Sequence, residues 1–146
     1  VPPGFWRGVN ANQNAVFIET FMDELAEATG MDAVEFRRKH MKNYPRNLAV
    51  LNAAADGIGW TKPAAPGVYR GIAQMKAFGS YVAAACELSV KNGNEVEIHR
   101  IVAATDPSYV VNPAQIERQD RELNYLESAL PEKARYEKEC KAPFDG

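Results

Sequence analysis

The sequence has little of what recognisable sites are usually built from. Two cysteines and two histidines are all that 146 residues contain. Cys86 and Cys140 are too few for a disulfide framework and have no CxxC or Cys/His spacing, so they leave the compartment open. His40 and His99 have no sequence-adjacent carboxylate or cysteine and read as structural or surface residues. No metal site follows from spacing. No apolar run approaches the roughly 20 residues that span a bilayer, and no signal peptide is visible. The expectation is a soluble protein, cytoplasmic or periplasmic. A formal charge of −2 argues against nucleic acid or an anionic membrane as the main partner. Gly8 belongs to no GxGxxG or Walker pattern. Repeats and low-complexity tracts are missing, and no residue constellation specifies a catalytic mechanism.

What is present suits one ordinary domain. Hydrophobic residues make up 46% and charged residues 25%, and a chain this long buries roughly two thirds of its unfolded surface. The opening stretch, Pro2-Pro3-Gly4-Phe5-Trp6-Arg7-Gly8-Val9-Asn10-Ala11-Asn12-Gln13-Asn14, is an irregular loop carrying two large aromatics and an arginine, a content suited to pressing against something specific. From Asn14 to Thr29, Phe17, Ile18, Phe21, Met22 and Leu25 recur at helical spacing. Glu19, Asp23, Glu24 and Glu27 then form the expected solvent face, and Gly30 the left-handed cap. Asp32-Ala33-Val34-Glu35 reads as a capping-box variant opening a second helix to Met41, with Arg37-Arg38-Lys39-His40 favouring its C-terminal dipole. A third helix is expected from about Asn47 to Gly57.

Gly59 to Gly67 is a proline- and glycine-rich linker. Strands follow over Val68–Met75 and Phe78–Val90, then beyond the hairpin signal Asn92-Gly93 through Val96, Ile98, Ile101 and Val102. Glu87, inside the apolar run, is expected to point to solvent by strand alternation. Cys86 reads as a buried small hydrophobe, and Asp106 as a turn-former. Asn112-Pro113 opens another helix through Gln115 to Leu130, Pro131 interrupts it, and Glu132 to Lys141 reads as a charged, solvated helix. The fold class is α+β: N-terminal helices packed on a small three-stranded antiparallel sheet, with a C-terminal helical tail.

The order of segments resembles a family. Gly4-Phe5-Trp6-Arg7-Gly8-Val9, Gln13-Asn14-Ala15 and Phe17 to Ala26 look like molybdenum hydroxylase large subunits. The nearest type is the isoquinoline 1-oxidoreductase β subunit, related to aldehyde oxidase and xanthine dehydrogenase. Asp32 to Arg38, Val50-Leu51 to Gly59-Trp60, Arg70-Gly71-Ile72-Ala73, Phe78-Gly79-Ser80-Tyr81-Val82-Ala83, and Glu87 to Arg100 continue the likeness. Ala104-Thr105-Asp106 and Val110-Val111-Asn112-Pro113, with Gln119 beyond, are similar to an Asp-Cys-Gly…Val-Asn-Pro…Gln pattern. The likeness divides the chain into residues 1–119, resembling part of a molybdopterin-binding domain, and a divergent charged helical tail, residues 120–146.

The resemblance implies cofactor contacts at Trp6, Arg7, Gly8, Gln13, Asp106, Asn112 and Gln119, and a substrate pocket at Val9. It implies a molybdopterin cofactor, in its cytosine dinucleotide form, in an intact enzyme that hydroxylates N-heterocycles or oxidises aldehydes with water. The partners implied are the remainder of the large subunit and an iron–sulfur subunit. Two departures stand out. The family's Asp-Cys-Gly is Asp106-Pro107-Ser108 here, and its Gly-Glu-Pro motif with the catalytic glutamate has no counterpart. The expectation is a truncated piece that binds no cofactor alone, is inactive in isolation and self-associates. The alternative is a non-catalytic binding or assembly module that uses the Gln115–Lys141 helix toward a partner.

Overall fold

The structure, a computed structural model, describes residue 4 and residues 8–118. Three helices precede three strands: α1 (Ala11–Ala28), α2 (Ala33–His40), α3 (Pro45–Ile58), β1 (Val68–Ala77), β2 (Ser80–Lys91) and β3 (Glu95–Asp106). The strands form one antiparallel sheet in the order β1-β2-β3, which is the α+β arrangement expected. Residues 113–118 are helical, and the Asn112 side chain accepts the Ala114 N–H at its start. The expected charged tail lies outside the described residues.

Local chemistry sets the helix ends. Gly30 takes a left-handed φ of 63°, and the Met31 and Gly30 N–H groups return to Ala26 and Glu27 carbonyls, closing α1 in a Schellman turn. Asp32 caps α2, its Oδ1 accepting from the Val34 and Glu35 amides. Its second oxygen accepts the Trp60 indole N–H at 2.9 Å, tying the linker back to the helix. Three ends differ from the sequence reading. The first helix begins at Ala11 rather than Asn14, so residues 11–13, read as loop, are helical. The third helix begins at Pro45 rather than Asn47, because a proline at the first helical position gives up an N–H that would have no partner anyway. Phe78-Gly79 is a two-residue turn, with φ of 51° and 80°, where a strand was expected; Gly79 lets the chain reverse there. The Asn92-Gly93 hairpin is as expected, both residues having positive φ.

The core lies between α3 and one face of the sheet. Val50, Leu51, Ala54, Ala55 and Ile58 pack on Ile72, Ala83 and Ala85, with Val102 and Ala104 at the side. The register makes Ile72, Ala85 and Val102 one row across the sheet, and Gln74, Ala83 and Ala104 the next. Gly57 permits close approach: a Cβ there would meet Val102 Cγ1 at 2.7 Å. Arg70 joins linker to sheet, donating to the Gly59 carbonyl and pairing with Glu87. Glu87 is therefore not a solvent-facing charge as expected, since the register sets it directly opposite Arg70. Cys86 is half-buried on the other face, because alternation along β2 turns it away from α3.

The first helix is the largest departure. Phe17, Ile18 and Phe21, expected to face the core, are 71%, 52% and 57% exposed, whereas Glu19 is 7% exposed and Arg37 completely buried. The expected solvent face thus points inward at Glu19. The reason is a donor set that only acidic side chains satisfy. Arg37 Nε donates to Glu19 Oε2 at 3.0 Å, and Nη1 to Asp23 Oδ1 at 2.7 Å. Arg37 also donates to the carbonyls of Ala33 and Glu19. Glu19 Oε2 accepts the backbone N–H of Gln74 as well, covering an edge donor of β1. A buried guanidinium is tolerated only when its charge and N–H groups are met in this way.

Candidate functional site

The contacts of α1 along β1 fix where the opening loop lies. Glu19 meets Gln74, while Asp23 and Ala26 lie beside Gly71 and Ile72. The helix therefore runs antiparallel to the strand. Gly8, Val9 and Gln13 precede Glu19, so they extend toward the Phe78-Gly79 turn. The end of β3 reaches the same turn: Tyr81 pairs with Asp106, and the Ser108 hydroxyl donates to the Gly79 carbonyl. The start of α1, with Gly8, Val9 and Gln13, therefore points toward the end of the sheet that carries Asp106. Asn112 follows within six residues. Trp6, Arg7 and Gln119 lie outside the described residues.

The loop-to-helix junction has the chemistry of an anion site. Gly8 and Val9 both adopt positive φ, 79° and 51°, and the Gly8 carbonyl accepts the Ala11 N–H. For a β-branched residue such as Val9 this conformation is strained, by about 1–3 kcal/mol. Asn10 caps α1 without a side-chain hydrogen bond, and the first turn holds no acidic residue. Among the described residues, the Asn12 and Gln13 N–H groups have no acceptor. Such a helix start presents free donors and the positive end of the dipole to an anion. A Cβ at Gly8 would press on Asn12 Cγ at 3.3 Å, so the glycine keeps this approach open. An anionic pterin phosphate or metal-oxo group fits these donors.

Asp106 is differently placed. Arg46 grips both its oxygens, at 2.7 and 2.6 Å, and the Ser108 N–H donates to Oδ1. The guanidinium bond lowers its pKa to about 2. Asp106 therefore anchors the end of β3 to the start of α3. The Arg46 guanidinium also lies 4.3 Å from the centre of the Tyr81 ring. Nothing in the sequence signals Arg46, because its partner lies 60 residues away. Likewise Glu19 and Arg37 passed for surface charges, since helical spacing reports a stripe without saying which side is covered. Elsewhere, His99 shares a hydrogen bond with Ser89, and His40 stacks on Phe36 at 4.6 Å. No cluster of three or more metal-ligating side chains occurs among the described residues, and no helix among them is long and apolar enough to cross a membrane.

One likeness to known proteins falls on the opening loop and the first two helices. Residues 1–41 match the molybdopterin cofactor-binding domain family, a span holding the loop, α1 and α2 with the Glu19–Arg37 pair. The B-subunit of nicotinate dehydrogenase from Pseudomonas putida is 32% identical over 137 residues, covering 82% of this chain and 12% of that protein. The β-subunit of isoquinoline 1-oxidoreductase from Brevundimonas diminuta is 26% identical over 119 residues, covering 79% of this chain and 15% of that protein. The chain thus spans about an eighth of the length of these relatives. No solved structure matches it. The domain match over residues 1–41 and the two collinear relatives show that the chain is similar to part of the molybdopterin-binding subunits of molybdenum hydroxylases.

Proposed function

We propose that this chain forms part of a molybdopterin-dependent oxidoreductase that hydroxylates an N-heterocycle or oxidises an aldehyde, with water as the oxygen source. The observation that carries this reading is the donor-rich, uncapped start of α1 behind Gly8, within the segment that matches the cofactor-binding family. The relatives' names, one a nicotinate dehydrogenase and one an isoquinoline oxidoreductase, support an aromatic N-heterocycle as the substrate class.

In this reading the N–H groups of Asn12 and Gln13, together with Trp6 and Arg7, hold the anionic cofactor, and Gly8 keeps side chains out of its way. Val9, held in its strained conformation by the turn, lines the substrate pocket. Asp106 acts through Arg46, fixing the end of β3 so that Asn112 and Gln119 reach the cofactor's nucleotide side, in the cytosine dinucleotide form. When bound, the cofactor supplies the two-electron oxidation, and electrons leave to iron–sulfur clusters on a partner subunit. The catalytic glutamate comes from the remainder of the large subunit, so the 146 residues alone neither retain cofactor nor turn over.

Molybdenum and pterin analysis of the purified chain, alone and mixed with the remainder of its large subunit, tests this. Cofactor retention and heterocycle oxidation only in the mixture, both lost in Arg7→Ala, is the expected result. Stoichiometric molybdenum on the chain alone, or an unchanged rate in the variant, would overturn it.

A further inference from the structure

A cleft lies between the end of α2, the start of α3 and the β1–β2 hairpin. It has a volume of about 570 Å³ and is bordered by His40, Asn43, Arg46, Asn47, Lys76 and Tyr81 among others, with no carboxylate among the described residues of its wall. In a chain of net charge −2, a wall holding Arg46 and Lys76 and, among the described residues, no acidic side chain is a local reversal. We propose that this cleft binds the phosphoryl group of a small phosphate ester or of free phosphate.

Four features converge on that chemistry. Lys76 Nζ and the Arg46 guanidinium lie 5.3 and 4.3 Å from the centre of the same Tyr81 ring. The ring gathers two cations, and Asp106 answers only one of them, through both of its oxygens. Lys76 has no carboxylate partner among the described residues, and a compact, mobile ammonium suits a phosphoryl oxygen. Asn43 and Asn47 add amide donors. The start of α3 is uncapped, Tyr44 making no side-chain cap and the first turn holding no acid, so among the described residues the Arg46 and Asn47 N–H groups have no acceptor. The volume falls in the range of small-molecule sites, roughly 300–1,000 Å³, and leaves room for an ester's organic part beside Tyr44, which is 61% exposed. Arg46 is shared with the Asp106 anchor of the proposed function, but the titration below needs neither molybdenum nor the rest of the subunit, so failure of one reading is distinguishable from failure of the other.

The test is a titration of the full 146-residue chain, followed by amide chemical shifts, with inorganic phosphate, AMP and ribose 5-phosphate. Saturable shifts at Arg46, Asn47 and Lys76 are expected. Tighter binding of both esters than of phosphate identifies an ester as the ligand, and equal binding of all three identifies free phosphate. Lys76→Gln should weaken binding about tenfold, the loss of one charge-assisted contact. Lys76→Arg should restore most of it, and Lys62→Gln, away from the cleft, should change nothing. Absence of shifts, shifts reproduced by sodium chloride at matched ionic strength, or affinity indifferent to Lys76→Gln would each overturn the proposal.

Discussion

Arg37 and Glu19 show how a charge is made to belong inside. Removing one partner leaves the other charged and dry, so Arg37→Met should cost about 3–5 kcal/mol of stability, read as a lowered urea midpoint. Burial raises the Glu19 pKa above its ordinary 4.5, outweighing the pull of Arg37 and the Gln74 N–H. Between 4.5 and that higher value the folded chain holds a proton that the unfolded chain has released. Stability should therefore fall as pH rises through this window, and Glu19→Gln should remove that slope. Asp106 has the opposite sign. Its pKa drops from 3.8 to about 2 under Arg46, so its contribution is complete above 3.8 and lost as pH falls through about 2. Asp106→Asn should abolish that acid-side loss in the same urea series. None of these partnerships could be read from the chain, because each joins residues from separate elements and charge type alone does not report depth.

Where neighbouring residues decide the outcome, the elements were legible. Asp32 caps α2, Gly30 ends α1 and Asn92-Gly93 turns a hairpin, each through contacts between near neighbours in the chain. The strand pattern likewise predicted three antiparallel strands in chain order. The orientation of α1 was not legible, since its apolar stripe marks a face without naming what covers it. Exposed as Phe17 and Phe21 are, their joint replacement by serine should change stability by no more than about 0.5 kcal/mol; a drop of several kcal/mol in denaturant titration would mean that the stripe is packed. Gly57 behaves otherwise. Its carbonyl accepts from Arg100, and Val102 leaves no room for a Cβ, so Gly57→Ala should pry α3 from β3 at about 1–3 kcal/mol. Helix propensity alone predicts the reverse, a gain of about 0.5–1 kcal/mol, so the sign of the measured change decides between them.

The fold leaves one side of its sheet open. The rows Gly71–Cys86–Ile101, Ala73–Ala84–Ala103 and Met75–Val82–Thr105 face away from α3, and no described helix packs on them. Among the described residues, the outer edge of β3 also has no partner strand, the arrangement that invites pairing between chains. Sedimentation velocity over a wide concentration range should show reversible self-association, relieved by Ala84→Lys at the centre of the open face. A strictly monomeric profile would rule this out. The inverted first helix has a further consequence, in its coupling to whatever covers it. Because α1 is held by a few polar contacts, it should open as a unit well before the α3–sheet core, and its amides should exchange hydrogen through that partial unfolding. Any surface that buried Phe17 and Phe21 would add about 1.5–3 kcal/mol per ring to the closed state. It would thereby slow α1 exchange and steady the Gly8–Asn10 turn at its head. By thermodynamic linkage, an anion held at that turn must strengthen attachment at the phenylalanines by the same factor. The helix would then report at one end on what is bound at the other.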